Sequence, residues 1–161
     1  MTDFATSRLS RERDVVATDG SDVRILQSLS GGALAHFTLA AGQTSTAVVH
    51  RTVEEIWYFL SGRGEMWRKQ EGRAEVVPVE AGVCVTIPLG THFQFRSLGD
   101  EPLAALAATM PPWPGDYESS FSSGCRGSRV RRDGGWPSGR GGPRGAARRR
   151  GRAARASGTP S

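Results

Sequence analysis

Between residues 23 and 109 the chain is a succession of short segments rich in β-branched and aromatic side chains: 23–29, 33–39, 46–50, 55–60, 65–68, 74–77, 83–87, 93–97 and 103–109. Glycine-bearing turn signals separate them, among them Gly31-Gly32, Ala41-Gly42, Ser61-Gly62-Arg63-Gly64, Glu71-Gly72, Ala81-Gly82 and Gly99-Asp100. Nine strands at roughly 8 to 12 residue spacing, with no sustained 3.6-residue period, predict an all-β antiparallel sandwich or barrel. The alanine-rich run 103–109 is compatible with a helix by composition, but Pro102 before it and Pro111-Pro112 after it leave room for only about two turns, so it is read as a closing strand.

Two of these segments carry a functional pattern. Glu55-Ile56-Trp57-Tyr58-Phe59-Leu60 is apolar on both faces, as expected of a strand packed on one side and lining a lumen on the other. Period two then sends Glu55, Trp57 and Phe59 to the same side. In the segment after Thr91, His92, Gln94 and Arg96 alternate with Phe93 and Phe95 and supply a polar set for a second wall. A small barrel of this kind holds one small ligand.

Charge and composition divide the chain further. Residues 1–20 are charged, interrupted by Asp19-Gly20, and carry the apolar pair Val15-Val16; they read as an N-terminal leader that covers a sheet edge. The barrel is assigned to 21–115 and a disordered Arg/Gly-rich tail to 116–161. Residues 122–161 hold 11 Arg and one Asp, a net of +10, so residues 1–121, with 10 basic and 15 acidic residues, sum to −5. The basicity that gives the whole chain its +5 therefore belongs to the tail. Arg-Gly segments follow phosphate backbones electrostatically, but this one lacks regular RGG repeats or interleaved aromatics, and nucleic acid is not the expected partner. Two cysteines, Cys84 in an apolar run and Cys125 in the tail, do not form a disulfide framework and point to a reducing compartment. With no secretory h-region and no run of about 18 apolar residues, a soluble, cytoplasmic protein without membrane contact is expected.

The spacing of glycines, histidines and a proline matches a known pattern. Gly42 is followed by five residues, Val48, one residue, His50, four residues, Glu55, six residues and Gly62; Gly82 is followed by five residues, Pro88, one residue, Gly90, one residue and His92. These stretches resemble the two motifs of the cupin superfamily, G(x)5HxH(x)3-4E(x)6G and G(x)5PxG(x)2H(x)3N. Val48 stands at the first histidine, the second motif reaches His92 one residue early, and its asparagine is absent. The resemblance implies a double-stranded β-helix barrel of the jelly-roll type, with a divalent metal (Fe, Mn or Zn) held by His50, Glu55 and His92, and isomerase or dioxygenase chemistry in the lumen. Three protein ligands with a position left open suffice for such a site. On a period-two strand the early histidine either turns its ring to the other face or is accommodated by a tighter turn.

The residues also support a metal-free reading, in which the barrel is a binding or sensor module and Trp57, Phe59, Gln94 and Arg96 contact a small-molecule ligand, Gln94 and Arg96 orienting an anion. Glu55 left alone in an apolar lumen would be costly, so a metal, a histidine or Arg96 must accompany it. Cys84, between Val83 and Val85, is expected as a packed thiol. A homodimer formed by sheet-edge association is compatible with either reading. Truncation after residue 121 is expected to leave the melting temperature and ligand binding of the domain unchanged; a fall in either would give the tail a part in the domain.

Overall fold

A computed structural model describes residues 3–114 and 119–121. Eleven strands run in the order β1 (Val15–Val16), β2 (Asp22–Leu29), β3 (Gly32–Leu39), β4 (Val48–His50), β5 (Glu54–Ser61), β6 (Arg63–Gln70), β7 (Arg73–Glu80), β8 (Cys84–Ile87), β9 (His92–Ser97), β10 (Leu103–Met110) and β11 (Ser119–Phe121). All pair antiparallel, in a six-stranded sheet ordered β1-β2-β3-β10-β5-β8 and a five-stranded sheet ordered β11-β4-β9-β6-β7. The alanine-rich segment is a strand, β10, at the centre of the first sheet between β3 and β5. Small side chains suit that place: Ala105 and Ala107 let the large aromatics of flanking strands meet over them.

The strands expected from the sequence all form, with ends shifted by up to three residues. The leader pairs through β1 with β2, as expected of a segment covering a sheet edge, and Arg13 reinforces the contact through Asp22 at 2.9 Å. Past the expected barrel limit at residue 115, β11 adds a further strand beside β4. The remainder of the Arg/Gly-rich tail, 116–118 and 122–161, lies outside the described residues. Pro78 sits in β7, an edge strand, where a missing N–H costs the ladder least.

The core lies between the sheets and is dominated by Trp57, Phe59, Met66, Ile87, Phe93 and Phe95. Trp57 is its hub, with ring centroids 4.8 Å from Phe37, 5.1 Å from Phe95 and 6.1 Å from Phe93. The alternation in β5 has one consequence unlike the expectation. Ile56, Tyr58 and Leu60 face outward and are exposed, so this strand is packed on one side only. Cys84 is likewise exposed rather than packed, because it shares the outer face with Tyr58, its register partner, while Val85 takes the inward position.

Two motif glycines serve different physical needs. Gly62 turns the chain between β5 and β6 with φ of 76°, and an added Cβ would meet the Leu103 Cα at 2.9 Å and overlap the Pro102 carbonyl oxygen. Gly42 has φ of 69° but open space around it. Gly62→Ala should therefore cost about 3 kcal/mol, from strain and backbone collision together, and Gly42→Ala about 1 kcal/mol. Chemical denaturation of the two variants checks this ordering, and equal losses would contradict it.

Candidate functional site

A cavity of about 310 Å³ lies between the sheets, bounded by β1, β2 and β3, by His50, Glu55, Phe93 and Thr109 on four further strands, and by residues 17–19 and Trp113. Its wall is mostly apolar, and the aromatic part consists of Phe37, Trp57, Phe93 and Trp113. One polar pole interrupts it. Val48 and His50 project inward from β4, and Glu55 projects inward from β5 in step with Trp57 and Phe59, all of them buried.

Glu55 is 2% exposed and its charge is met by two groups. The Trp57 indole N–H donates to Oε2 at 2.8 Å, and His50 Nε2 stands 3.4 Å from the same oxygen. A histidine and an indole thus accompany the carboxylate, where a metal, a histidine or Arg96 was required. The His50 ring packs against Phe93, 5.1 Å away, and stands at 87° to the ring of Trp113, also 5.1 Å away.

The leader contributes a second buried carboxylate that sequence reasoning missed. Asp19 lines the cavity at 5% exposure, and its Oδ1 accepts the Ser21 amide at 2.8 Å and the Ser21 hydroxyl at 2.6 Å. Burial pushes the Asp19 carboxyl above its ordinary value of 3.8; the Ser21 bonds oppose this, Glu55 adds to it and His50 subtracts. The signal available in the sequence was an Asp two residues before a Ser, an Asx-turn pattern, but nothing local says that this turn closes over a lumen. Thr109 was also missed. It lies directly across the ladder from Glu55, its side chain faces the cavity, and its buried Oγ1 has no hydrogen-bond partner among the described residues.

The other expected site residues lie elsewhere. His92 pairs with Val49 across β4 and β9, whereas Val48 pairs with Phe93; His92 therefore shares the outer face with Val49, and Phe93 holds the inward position. Two residues separate Gly90 from position 93, the spacing at which the second motif places its histidine. The phase of the strand is kept and phenylalanine occupies the ligand's place, which leaves His92 one step off and outside. Gln94 and Arg96 follow the same parity. Gln94 donates to the Ser45 carbonyl at 2.7 Å, and Arg96 makes two bonds to Glu65, at 3.0 and 2.6 Å, on the outer face. Phe59 is in the core and not in the cavity wall; Trp57 is in both.

The fold agrees with comparisons to known proteins. A family model described as "Cupin domain" matches residues 35–109. An uncharacterised protein of Methanocaldococcus jannaschii is 31% identical over 103 residues, covering 61% of this chain and 79% of that one. The chain belongs to the cupin superfamily. Among solved structures, oxalate decarboxylase of Bacillus subtilis superposes with a TM-score of 0.58 at 22% identity, over 68% of this cupin and 30% of the decarboxylase chain. A double-stranded β-helix protein from Klebsiella pneumoniae gives a TM-score of 0.53 at 16% identity, covering 72% and 90%. This cupin thus spans less than a third of the decarboxylase's length, and at such identity the likeness concerns the fold.

The decarboxylase contains Mn(II) centres. Of the four liganding positions in the motifs, this cupin keeps His50 and Glu55 and carries Val48 and Phe93, register partners 2% and 1% exposed, at the others. Two donors fall short of the three protein ligands that such a centre needs, and no group of three or more His, Cys, Asp or Glu among the described residues is arranged to hold a metal ion. The motif positions of this chain do not by themselves supply the ligands for a metal such as the Mn(II) of the decarboxylase.

A carboxylate held above its ordinary value favours its neutral form in the folded state, so Asp19 supports the fold at low pH and withdraws that support as pH rises through the raised value. Asp19→Asn retains the acceptor for Ser21 and removes the titration. The difference in melting temperature, variant minus parent, is expected to become more positive from about pH 4 to about pH 7. A difference that stays constant over that range would contradict the burial of this carboxyl.

Proposed function

We propose that this cupin binds a small, largely apolar molecule in its lumen without a metal, and that the His50–Glu55 pair is the polar end of the site. The observation that carries this reading is the cavity itself: about 310 Å³, at the lower end of ligand-site volumes, walled by aromatic and aliphatic groups and ended by one buried carboxylate with its histidine. Apolar walls supply affinity through burial, and the single polar pole supplies orientation. His50 and Glu55 also form an acid–base pair able to move a proton at a bound ligand, so isomerisation by proton transfer is compatible with the same residues. Metal-dependent dioxygenase chemistry has less support, because apolar side chains fill two of the ligand positions.

Benzyl alcohol, a neutral probe with an apolar ring and one hydroxyl, is expected to bind the full-length protein in calorimetry with an affinity unaffected by prior chelator treatment. Ala35→Leu, which extends a small wall residue into the cavity, is expected to weaken binding at least about tenfold. Protein that binds benzyl alcohol only after loading with manganese, iron or zinc, or equally well with Leu at position 35, would refute the reading.

A further inference from the structure

The charges around the cavity select among ligands more sharply than its shape does. Among the described residues its wall contains two carboxyl groups, Asp19 and Glu55, and one imidazole, His50, but no Arg or Lys. The arginines nearest in sequence pattern are engaged elsewhere: Arg96 with Glu65, and Arg24 with the Thr38 hydroxyl and the Arg11 carbonyl. A carboxylate ligand entering this lumen would lose its hydration to meet two acidic side chains with one histidine to offset them.

The hydrogen-bond inventory has the same sign. A carboxylate only accepts, and the described residues engage one of the two Glu55 oxygens, Oε2. Thr109 Oγ1, directly opposite on the neighbouring strand, is buried and without a partner among the described residues. A buried hydroxyl in that state marks a place for a ligand or water that bonds to it. The carboxylate only accepts, and the Thr109 hydroxyl can accept from a ligand as well as donate. Around them stand the rings of Trp57, Phe93, Phe37 and Trp113, and an aromatic face attracts a cation.

From this juxtaposition of Glu55, Thr109 and the aromatic wall, we infer that the lumen takes an amine: a small apolar body bearing one protonated nitrogen, whose N–H groups donate to the Glu55 carboxylate and to Thr109 Oγ1. The inference rests on the proposed binding role of the lumen and adds the chemical class of its ligand. It also sets this cupin apart from oxalate decarboxylase, which is named for a dianion, since the lumen here holds two carboxyl groups.

Three probes that share a benzene ring test it on the full-length protein by calorimetry: benzylamine, benzyl alcohol and benzoate. Benzylamine is expected to bind about tenfold or more tightly than benzyl alcohol, with benzoate weakest of the three. Glu55→Gln, which keeps an acceptor for the Trp57 indole, should remove the advantage of benzylamine over benzyl alcohol measured on the same variant, and Thr109→Val should weaken benzylamine about threefold. Benzoate binding as tightly as benzylamine in the parent protein overturns the inference even if the variants fail to fold, and so does an amine preference that survives in Glu55→Gln. If benzyl alcohol binds and benzylamine gains nothing over it, the amine inference fails while lumen binding stands; if none of the three binds folded protein, both fall.

Discussion

On a β-strand the side chains alternate between two faces, so the contents of a lumen between two sheets are decided by parity. In this barrel the even positions 48 and 50 of β4 and the odd positions 55, 57 and 59 of β5 face inward, and they meet the odd positions 93 and 95 of β9. Everything chemical about the site follows from that phase. It brings His50 to Glu55, sets Phe93 against Val48, and sends His92, Gln94 and Arg96 to the other side of their sheet. A one-residue slip in β9 would exchange the set, placing a histidine, an amide and a guanidinium in the lumen and two phenylalanines in water. The burial of Phe93 and Phe95, both at 2% or less, is what forbids that slip.

Inside this frame the buried Glu55 carboxylate is the most demanding group. An unpaired charge among aromatic rings would be strongly unfavourable, and the Trp57 indole and His50 together make it tolerable. The histidine packs in turn against the rings of Phe93 and Trp113. The polar pole is therefore carried by residues from two sheets and from the segment after β10, and its geometry exists only when the sandwich is closed. Asp19 adds a carboxyl from the leader, which would otherwise have only the edge of β2 to cover.

Membership of the cupin superfamily accounts for the barrel and for the glycines that shape its turns, Gly62 above all, but not for the chemistry within. Where related proteins place metal ligands, this chain has a register pair of apolar side chains, so one scaffold has been kept while the coordinating group has been replaced by packing. What the described residues leave in the lumen is an aromatic-walled cavity with two carboxyl groups and one histidine.

Much of this was legible along the chain. Turn glycines, β-branched runs and the prolines around the alanine-rich segment located nine strands, and the motif spacing identified the barrel and named His50 and Glu55, because period and turn chemistry are local properties. The strands β1 and β11 are two and three residues long, too short to carry a period, and their pairing is set by the neighbours they meet. His92 was expected in the lumen with His50 and Glu55 and lies outside it for a similar reason: its face depends on the phase of β9, and that phase is set by burying Phe93 and Phe95 against Trp57, on a different sheet. Asp19 and Thr109 lie 36 residues on one side of Glu55 and 54 on the other, and no spacing rule joins them to it. The sequence by itself determined the strands, the barrel and one histidine–glutamate pair; which polar groups share the lumen was decided by the tertiary structure, since only the closing of two sheets brings residues so distant along the chain to one cavity.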